Sequence, residues 1–337
     1  MRVRLRGAGV ACVTAAAVVL WLGGCAGAGG SGTPTRAVHS TGARGSGTPS
    51  APIRMTPGAS GPSAGATTAA SATGGLQHVV VILEENKPAT SIVGNAQAPY
   101  FNRLLSQYAH ASDYSAVTHP SLPNYLALTS GTTGGITSDC NPPGGSCLVT
   151  TPNLADSLRA AGLSWRMYAE GMPVPCSAPN TGRYAVKHNP FLYYPSVTAS
   201  AAYCAAHDVP FSSFVPDLRS ASTLPAFSFV SPDLCNDMHS CPIATGDAWL
   251  AQVVPQILGS PAFTTERSLL VVTFDEGDSS DNVVACVFAG PAARRGAVSS
   301  AAYTHYSLLR TIENGLGLPP VSANDAAASP MTDLLAH

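Results

Sequence analysis

Charged residues are scarce in this chain of 337 residues, where they make up 11% of the sequence. The 17 lysines and arginines nearly balance the 19 aspartates and glutamates, and the formal net charge is −2. No run of basic residues occurs, so the sequence lacks the electrostatic signature of nucleic-acid binding. Because few cationic side chains can pair with a carboxylate, an acidic group in an apolar segment needs another explanation.

The cysteine spacings typical of zinc fingers are also missing. Seven of the nine cysteines lie in residues 76–337. An exported chain favours disulfides, and an odd number leaves at least one cysteine unpaired. Cys286 lies in the apolar run 283–288, so we expect it to be the free, buried thiol.

Large apolar side chains are almost absent from residues 25–75, which consist mainly of Gly, Ser, Thr, Ala and Pro. Such a segment cannot bury enough surface to offset its ordering entropy, and it is predicted to be a disordered tether. The remaining residues, 76–337, have the length of one α/β domain.

Residues 1–24 combine three early arginines with an apolar stretch at 10–22. The stretch is too short and too rich in alanine for a membrane-spanning helix, and it predicts a secretion signal. Its end, Leu22-Gly23-Gly24-Cys25, resembles a bacterial lipobox. We therefore expect Cys25 to be lipidated, with an ordinary signal peptide as the alternative.

Hydrophobic periodicity predicts the elements of the domain. Apolar runs at 77–83 and 268–274 are typical of strands buried on both faces. Further strands are predicted at 163–168, 226–230 and 283–289, and helices at 98–110, 153–161, 247–258 and 305–316. This alternation predicts an α/β fold, a three-layer α/β/α sandwich. Residues 170–225, rich in proline and weak in periodicity, are predicted to be a loop-rich cap.

The heptapeptide from His119 to Tyr125 has one serine between two prolines, where a helix is predicted to begin. The free N–H groups and positive dipole end of a helix N-terminus favour an anionic phosphate. Ser121 therefore either caps the helix or acts as a nucleophile, and this segment alone leaves both possibilities open.

Two predicted strands end directly in oxygen donors. Glu85 and Asn86 follow the first strand, and Asp275 and Glu276 follow the strand at 268–274. Ligands of open α/β sheets bind beyond the carboxyl ends of strands, so these residues are expected to meet. They could be helix caps, but together with Ser121 they predict one divalent cation. Oxygen ligands favour Mg²⁺, Ca²⁺ or Mn²⁺ over Zn²⁺.

Three histidines lie in polar loops beside predicted elements, namely His188, His239 and His305. A phosphoryl transition state needs its oxygens stabilised and its leaving group protonated, and histidine can do both. Isolated histidines are more often structural, so their positions carry weight only together with the acidic clusters.

Six short segments occur in a fixed order along the chain: Glu85-Asn86, His119-Pro120-Ser121-x-Pro123-Asn124-Tyr125, Lys187-His188-Asn189-Pro190, Asn236-Asp237-Met238-His239, Gly246-Asp247-Ala248-Trp249-Leu250 and Thr273-x-Asp275-Glu276. Together they resemble the bacterial phosphoesterase family of secreted acid phosphatases and phospholipases C, in the alkaline-phosphatase-like superfamily. The compact secreted acid phosphatases, which include phosphoinositide phosphatases, are the most similar members.

The resemblance implies a role for each matching position. Ser121 would be the nucleophile and, with the two acidic clusters, a metal ligand. His188 and His239 would contact the phosphate. The positions near the substrate would be Asn124, Lys187, Asp237 and His305. A disulfide between Cys140 and Cys176 is also implied.

The expected function is metal-dependent hydrolysis of phosphomonoesters through a phosphoserine intermediate. The alternatives are a phospholipase C that acts on phosphodiesters and a surface protein that only binds. We expect a phosphorylated small molecule or a phosphoinositide as substrate, and no nucleic-acid partner. We also expect a monomer, exported and either secreted or held at the membrane by its lipid anchor alone.

Overall fold

A computed structural model describes residues 75–278 and 280–336. The secretion signal, Cys25 and all but the last residue of the tether lie outside the described residues, so the predictions made for them stay predictions. Within the described part, none of the helices has the length and apolar character needed to cross a membrane.

An eight-stranded sheet forms the centre of the fold, with strand order β5-β4-β6-β1-β7-β8-β2-β9. Its strands are β1 His78–Glu84, β2 Ala109–Ala111, β4 Trp165–Ala169, β5 Asp208–Pro210, β6 Phe227–Ser231, β7 Ser268–Phe274, β8 Cys286–Ala289 and β9 Val298–Ser299. All neighbours are parallel except β8, which is antiparallel to β7 and β2. A separate pair consists of β3 Tyr114–Ser115 and β10 Tyr303–Thr304.

The helices form two groups by mutual contact. One group contains α3 Ser121–Ser130, α4 Leu154–Ala160, α10 His305–Leu316 and α11 Ala323–Ala327. The other contains α2 Pro99–Gln107, α8 Ile243–Leu258 and α9 Pro261–Thr265. The shorter helices are α1 Ala89–Ile92, α5 Pro195–Thr198, α6 Ala201–His207 and α7 Phe214–Asp217, and 3₁₀ turns occur at Gly145–Cys147, Val186–His188, Pro190–Tyr193, Phe211–Ser213 and Thr332–Leu334.

The central strands β1 and β7 are buried along their whole length. Their apolar and largely β-branched residues suit a strand covered on both faces, as the sequence predicts. The register pairs Glu84 with Phe274, so both strands end level with each other. The acidic residues that follow the two strands are thereby brought to one edge of the sheet.

Two element predictions need correction. The helix predicted at 98–110 ends at Gln107, and Ala109–Ala111 forms β2 because its backbone pairs with β8 and β9. The strand predicted at 283–289 begins only at Cys286. Before it, the Val283 carbonyl accepts a hydrogen bond from Ala89 and the Val284 amide donates one to Tyr114, so this backbone is used outside the main ladder.

Residues 170–225 are not the separate loop-rich cap that weak periodicity predicts. The segment supplies the edge strand β5 to the main sheet and buries large aromatic side chains, including Phe191 and Phe214. The Phe191 ring lies 4.7 Å from the Trp165 ring of β4. Aromatic packing of this kind anchors an irregular segment without a helical or strand period, and it places Lys187 and His188 at the site.

The structure contradicts the implied disulfide between Cys140 and Cys176. Cys140 pairs with Cys147, seven residues away, and their Cα atoms are 5.9 Å apart, a normal span for a disulfide. Cys176 pairs with Cys204, and a third disulfide joins Cys235 and Cys241. Cys286 is free and buried, as predicted. Three disulfides are typical of an exported protein.

Candidate active site

The site lies where β1 and β7 end and α3 begins. Ser121 is the first residue of α3, and Pro120 occupies the cap position, so the serine is not an N-cap residue. Its Oγ lies 3.1 Å from Glu85 Oε2 and 3.3 Å from Glu276 Oε1. The hydroxyl therefore has two carboxylate acceptors, one from each acidic cluster.

Asn86 links the two clusters through its backbone. Its amide donates to Asp275 Oδ1 at 3.0 Å, and its side-chain nitrogen donates to Glu85 Oε2 at 3.3 Å. The residue has a φ of 52°, a left-handed conformation that asparagine tolerates better than most residues. The four predicted oxygen-donor residues and Ser121 are thus brought together as the sequence predicts.

Tyr125, one helical turn after Ser121, organises the interior of the site. Its hydroxyl donates to Glu85 Oε1 at 2.5 Å, and its ring stacks on His188 with centroids 5.4 Å apart. In the sequence, Tyr125 stands out only as the last residue of the heptapeptide that begins at His119. Its spacing of four residues from Ser121 was the available signal, since residues so spaced share one side of a helix.

Crowded carboxylates dominate the electrostatics. Burial, followed by the charges of Asp275 and Asp237, raises the pKa of Glu85 well above its usual range. Burial and the neighbouring Glu276 raise the pKa of Asp275 to about 8. Burial likewise raises the pKa of Glu276. Like charges this close disfavour ionisation unless positive charge is supplied.

The donor chemistry fits a divalent cation. Asp275 Oδ2 is buried and has no hydrogen-bond partner. Among the described residues, no group of three or more His, Cys, Asp or Glu side chains is arranged to hold a metal ion. The predicted ligand set combines three carboxylates with the Ser121 hydroxyl and the Asn86 amide, all of the hard-oxygen type that Mg²⁺ and Ca²⁺ prefer.

His188, Asp237 and His239 form the other side of the site. His188 Nε2 lies 3.2 Å from Glu85 Oε1, and its Nδ1 lies 3.4 Å from Asp237 Oδ2. The His239 amide donates to Asp237 Oδ1 at 2.8 Å, and the two histidine rings are 5.8 Å apart. Burial lowers the pKa of His188 to about 3, so it is a neutral ring, and its Nε2 has no hydrogen-bond partner. His239 is half-buried.

Lys187 is linked to the start of α3 by Asp139, a residue that the sequence does not single out. Asp139 Oδ2 accepts from Lys187 Nζ at 2.7 Å, and Oδ1 accepts from the Leu122 amide at 3.0 Å. This bond corrects the expectation that the N–H groups at the start of α3 are free for phosphate. Asp139 lies in a loop rich in glycine, proline and serine, and nothing in its sequence context marked it.

Two residues predicted to lie near the substrate are buried and hydrogen-bonded within the protein. Asn124 is fully buried, and its amide makes four bonds to the backbone of residues 117, 118 and 120. His305 is fully buried, its Nε2 donates to the Asp275 carbonyl at 2.6 Å, and its Nδ1 accepts from the Tyr114 hydroxyl at 2.8 Å. These partners occupy the polar atoms of both side chains, and the expected substrate contact of Asn124 and His305 stays a prediction.

Two further residues, His119 and Glu84, lie next to motif residues. His119 Nδ1 lies 2.5 Å from Glu276 Oε2, which supports the carboxylate that contacts Ser121. Glu84 is fully buried, and neither of its carboxylate oxygens has a hydrogen-bond partner. Burial and the charges of Asp237, Glu170 and Asp247 raise its pKa well above the usual range. Burial therefore favours the protonated form of Glu84, which lies outside the cluster around Ser121.

Comparison with known proteins gives the same assignment as the motifs. A model of the phosphoesterase family matches residues 94–319, more than half of the chain. Phosphatidylinositol-3-phosphatase from Mycobacterium tuberculosis is 40% identical over 268 residues, which are 79% of this chain and 85% of that enzyme. The phosphate-repressible acid phosphatase from Penicillium chrysogenum is 32% identical over 241 residues, 68% of this chain and 57% of its own length.

Solved structures agree on the fold. A protein of the alkaline phosphatase superfamily from Vibrio parahaemolyticus has a TM-score of 0.54 at 12% identity, covering 77% of this chain and 72% of its own. The lipoteichoic acid synthase LtaP from Listeria monocytogenes has a TM-score of 0.52 at 10% identity, covering 78% and 76%. The fold and family inferred from the six segments are confirmed: the chain belongs to the phosphoesterase family and is a phosphoric ester hydrolase with an alkaline-phosphatase-like fold.

Proposed function

We propose that this protein hydrolyses phosphomonoesters through a covalent phosphoserine on Ser121. The observation that carries the proposal is the position of the Ser121 hydroxyl, buried at the first turn of α3 between the carboxylates of Glu85 and Glu276. The name of the M. tuberculosis relative supports a phosphomonoester, and within that class a phosphoinositide. The names of the fungal relatives support acid phosphatase activity.

In the proposed first step, Ser121 Oγ attacks phosphorus and the bond from phosphorus to the leaving oxygen breaks. The serine proton has two acceptors in place, Glu85 Oε2 and Glu276 Oε1. His188 offers its neutral ring to a phosphate oxygen, and the half-buried His239 protonates the leaving oxygen. Water then attacks phosphorus and passes its proton to His239, while the bond from phosphorus to Ser121 Oγ breaks and Oγ takes back the proton held by the carboxylate.

A divalent cation would be held by Glu85, Asn86, Ser121, Asp275 and Glu276. When bound, it supplies the positive charge that offsets the crowded carboxylates and favours the serine alkoxide. The unpartnered Asp275 Oδ2 and the raised pKa values of the cluster support this part of the proposal. Tyr125 and Asn86 hold the donors in position.

Replacing Ser121 tests the nucleophile. We expect Ser121→Ala to lower kcat on a soluble phosphomonoester by about 10³-fold or more, because the covalent route is lost. Ser106→Ala, an exposed serine on α2, is the matched control. If Ser121→Ala keeps more than about a tenth of the wild-type kcat, the nucleophile is another group. Trapping of phosphoserine at acid pH would give independent support.

Metal removal and a change of substrate test the remaining parts. Treatment with a chelator should abolish activity, and Mg²⁺, Ca²⁺ or Mn²⁺ should restore it. Full activity after chelation would contradict the metal assignment. The same enzyme is then assayed on phosphatidylcholine, and faster release from this phosphodiester than from monoesters would favour the phospholipase C alternative.

A further inference from the structure

The chain contains only two lysines, and both lie at the site. Its other 15 cationic residues of the Lys and Arg type are arginines. Lys87 follows Glu85 and Asn86 directly, and Lys187 precedes His188. Lysine is a compact point charge with rotatable donors, whereas arginine has a planar fork suited to bidentate pairing. A chain that otherwise uses arginine thus has its only two lysines at the site where a phosphate is proposed to bind.

The two lysines differ in how their charge is compensated. Lys187 forms an ion pair with Asp139 at 2.7 Å. Lys87 forms no ion pair with any carboxylate of the residues at 75–278 and 280–336, and its Nζ donates only to the Asn86 carbonyl at 3.2 Å. Lys87 is half-buried, so its positive charge is partly removed from water without a protein counter-ion.

Backbone contacts on both sides of Lys87 fix its position beside the site. Before Lys87, the Asn86 amide donates a hydrogen bond to Asp275 Oδ1. After it, Pro88 packs against Gly277, and the Ala89 amide donates a hydrogen bond to the Val283 carbonyl. A Cβ on Gly277 would lie 3.1 Å from Pro88 Cα, which shows how closely the two segments approach. Lys87 therefore has a fixed backbone beside the carboxylate cluster, and its ammonium donates one hydrogen bond, to the Asn86 carbonyl.

Lys87 lies on the His239 side of the site. Two residues before it, the Glu85 amide donates to the Asp237 carbonyl at 2.8 Å, and the His239 amide donates to Asp237 Oδ1 at 2.8 Å, so the turn with Lys87 adjoins the loop that carries His239. In keeping with this position, burial, the neighbouring His188 and the charges of Lys187 and Lys87 lower the pKa of His239. His239 is the residue to which the proposed mechanism assigns the leaving oxygen, so Lys87 lies toward the part of the substrate that remains after phosphate transfer.

We propose that Lys87 recognises a second anionic group on the leaving part of the substrate. The enzyme would then prefer phosphomonoesters that carry another phosphate or a carboxylate, such as a phosphoinositide headgroup, over those with a neutral leaving group. This inference rests on the proposed phosphomonoesterase activity. A charge-assisted contact to Lys87 would give the unpaired ammonium the counter-ion that the protein lacks there.

The test compares substrates that differ by one anionic group. Glycerol 3-phosphate has a neutral leaving group, 3-phosphoglycerate adds a carboxylate, and a short-chain phosphatidylinositol 3-phosphate adds a phosphodiester. Wild type, Lys87→Gln and Lys87→Arg are assayed with all three. Arg103→Gln, which removes an exposed cation of α2, is the charge control.

We expect Lys87→Gln to lower kcat/KM about tenfold on at least one of the two substrates with a second anion, mainly through KM, and less than about twofold on glycerol 3-phosphate. Lys87→Arg should retain most of the preference, and Arg103→Gln should leave it unchanged. Whichever substrate shows the effect, the soluble carboxylate or the lipid headgroup, identifies the source of the second anion.

Equal losses on all three substrates would overturn the inference, because Lys87 would then serve the scissile phosphate or the site as a whole. No loss on any of them would overturn it as well. If the wild-type enzyme hydrolyses none of the three, the proposed function itself fails. These outcomes separate the failure of the inference from the failure of the function.

Discussion

Asp139 connects the helix of the nucleophile to the cation beside it. One carboxylate oxygen accepts from the amide of Leu122, next to Ser121, and the other accepts from Lys187. A negative side chain at a helix N-terminus is stabilised by the helix dipole. The same side chain fixes an ammonium that borders the site, so one residue positions both groups.

Asp139→Asn should lower activity without unfolding the protein. The amide oxygen can still accept from Leu122, but the amide nitrogen faces Lys187 Nζ, and two donors repel each other. Because the pair is partly exposed, we expect a loss of about tenfold in kcat/KM, near the low end for charged hydrogen bonds. Asp156→Asn, which breaks the surface pair with Arg159, is the control. Unchanged kinetics in both variants would remove Asp139 from the site.

Residue types explain which parts of the site could be foreseen. Glu85 and Asp275 stand directly after apolar strands, where a carboxylate has no other reason to be, and the sequence therefore reveals them. Asp139 stands in a polar loop, where an aspartate is unremarkable. Asn124 and His305 carry functional groups, but only the fold shows that backbone and buried partners already use them.

Helix α8 supports the loop that carries Asp237 and His239. Gly246 in its first turns is buried, and a Cβ there would lie 2.7 Å from the Asn236 carbonyl and would overlap the Met238 side chain. Met238 itself has a φ of 70°, so this loop has little freedom to move aside. The disulfide between Cys235 and Cys241 closes the loop from its two ends.

Gly246→Ala is expected to be harmful, although alanine ordinarily favours a helix over glycine by about 1 kcal/mol. The clash displaces Asn236 and Met238, at a typical cost of about 1–3 kcal/mol for overpacking. The loop shift should move His239 and lower kcat. The overpacking should also lower the melting temperature. Ala251→Ser, on the exposed face of the same helix, is the control. A variant with normal kcat and higher stability would show that the loop adapts.

The secondary-structure elements, like the site residues, differ in how well the sequence predicts them. The strands β1 and β7 are continuous apolar runs of seven residues, and the helices α8 and α10 have a strong helical period, so the sequence predicts all four closely. The three-residue β2 has no pattern of its own and forms only because β8 and β9 offer partners. Segment 170–225 is set by aromatic contacts between distant residues, which no local period reveals.

At the scale of the whole domain, the described residues include buried acids but no buried strong base. Among the described residues, nine Asp and Glu side chains are buried and no lysine or arginine is. Several of these acids have a pKa raised by burial, and each favours the folded state when it is protonated. A protein built in this way is expected to be more stable at acid than at neutral pH, which suits the acid phosphatases among its relatives.

Asp208 allows the effect of a buried acid on stability to be measured away from Ser121. Burial raises its pKa to about 7 from the ordinary 3.8, while the Asn189 amide donates to both of its oxygens. Between pH 4 and pH 7 the folded state keeps a proton that the unfolded state has released. The free energy of unfolding should therefore fall as pH rises through this window and level off above it.

Asp208→Asn removes this titration and keeps an oxygen that can accept from Asn189. At pH 8 the variant should be more stable than wild type by about 1–4 kcal/mol, with the upper figure set by about 1.4 kcal/mol per pKa unit. At pH 4 the two proteins should differ little. Urea unfolding of wild type, Asp208→Asn and the exposed control Asp113→Asn across this range measures the slopes. If Asp208→Asn loses stability with rising pH as steeply as wild type, the buried acid that sets the pH response lies elsewhere.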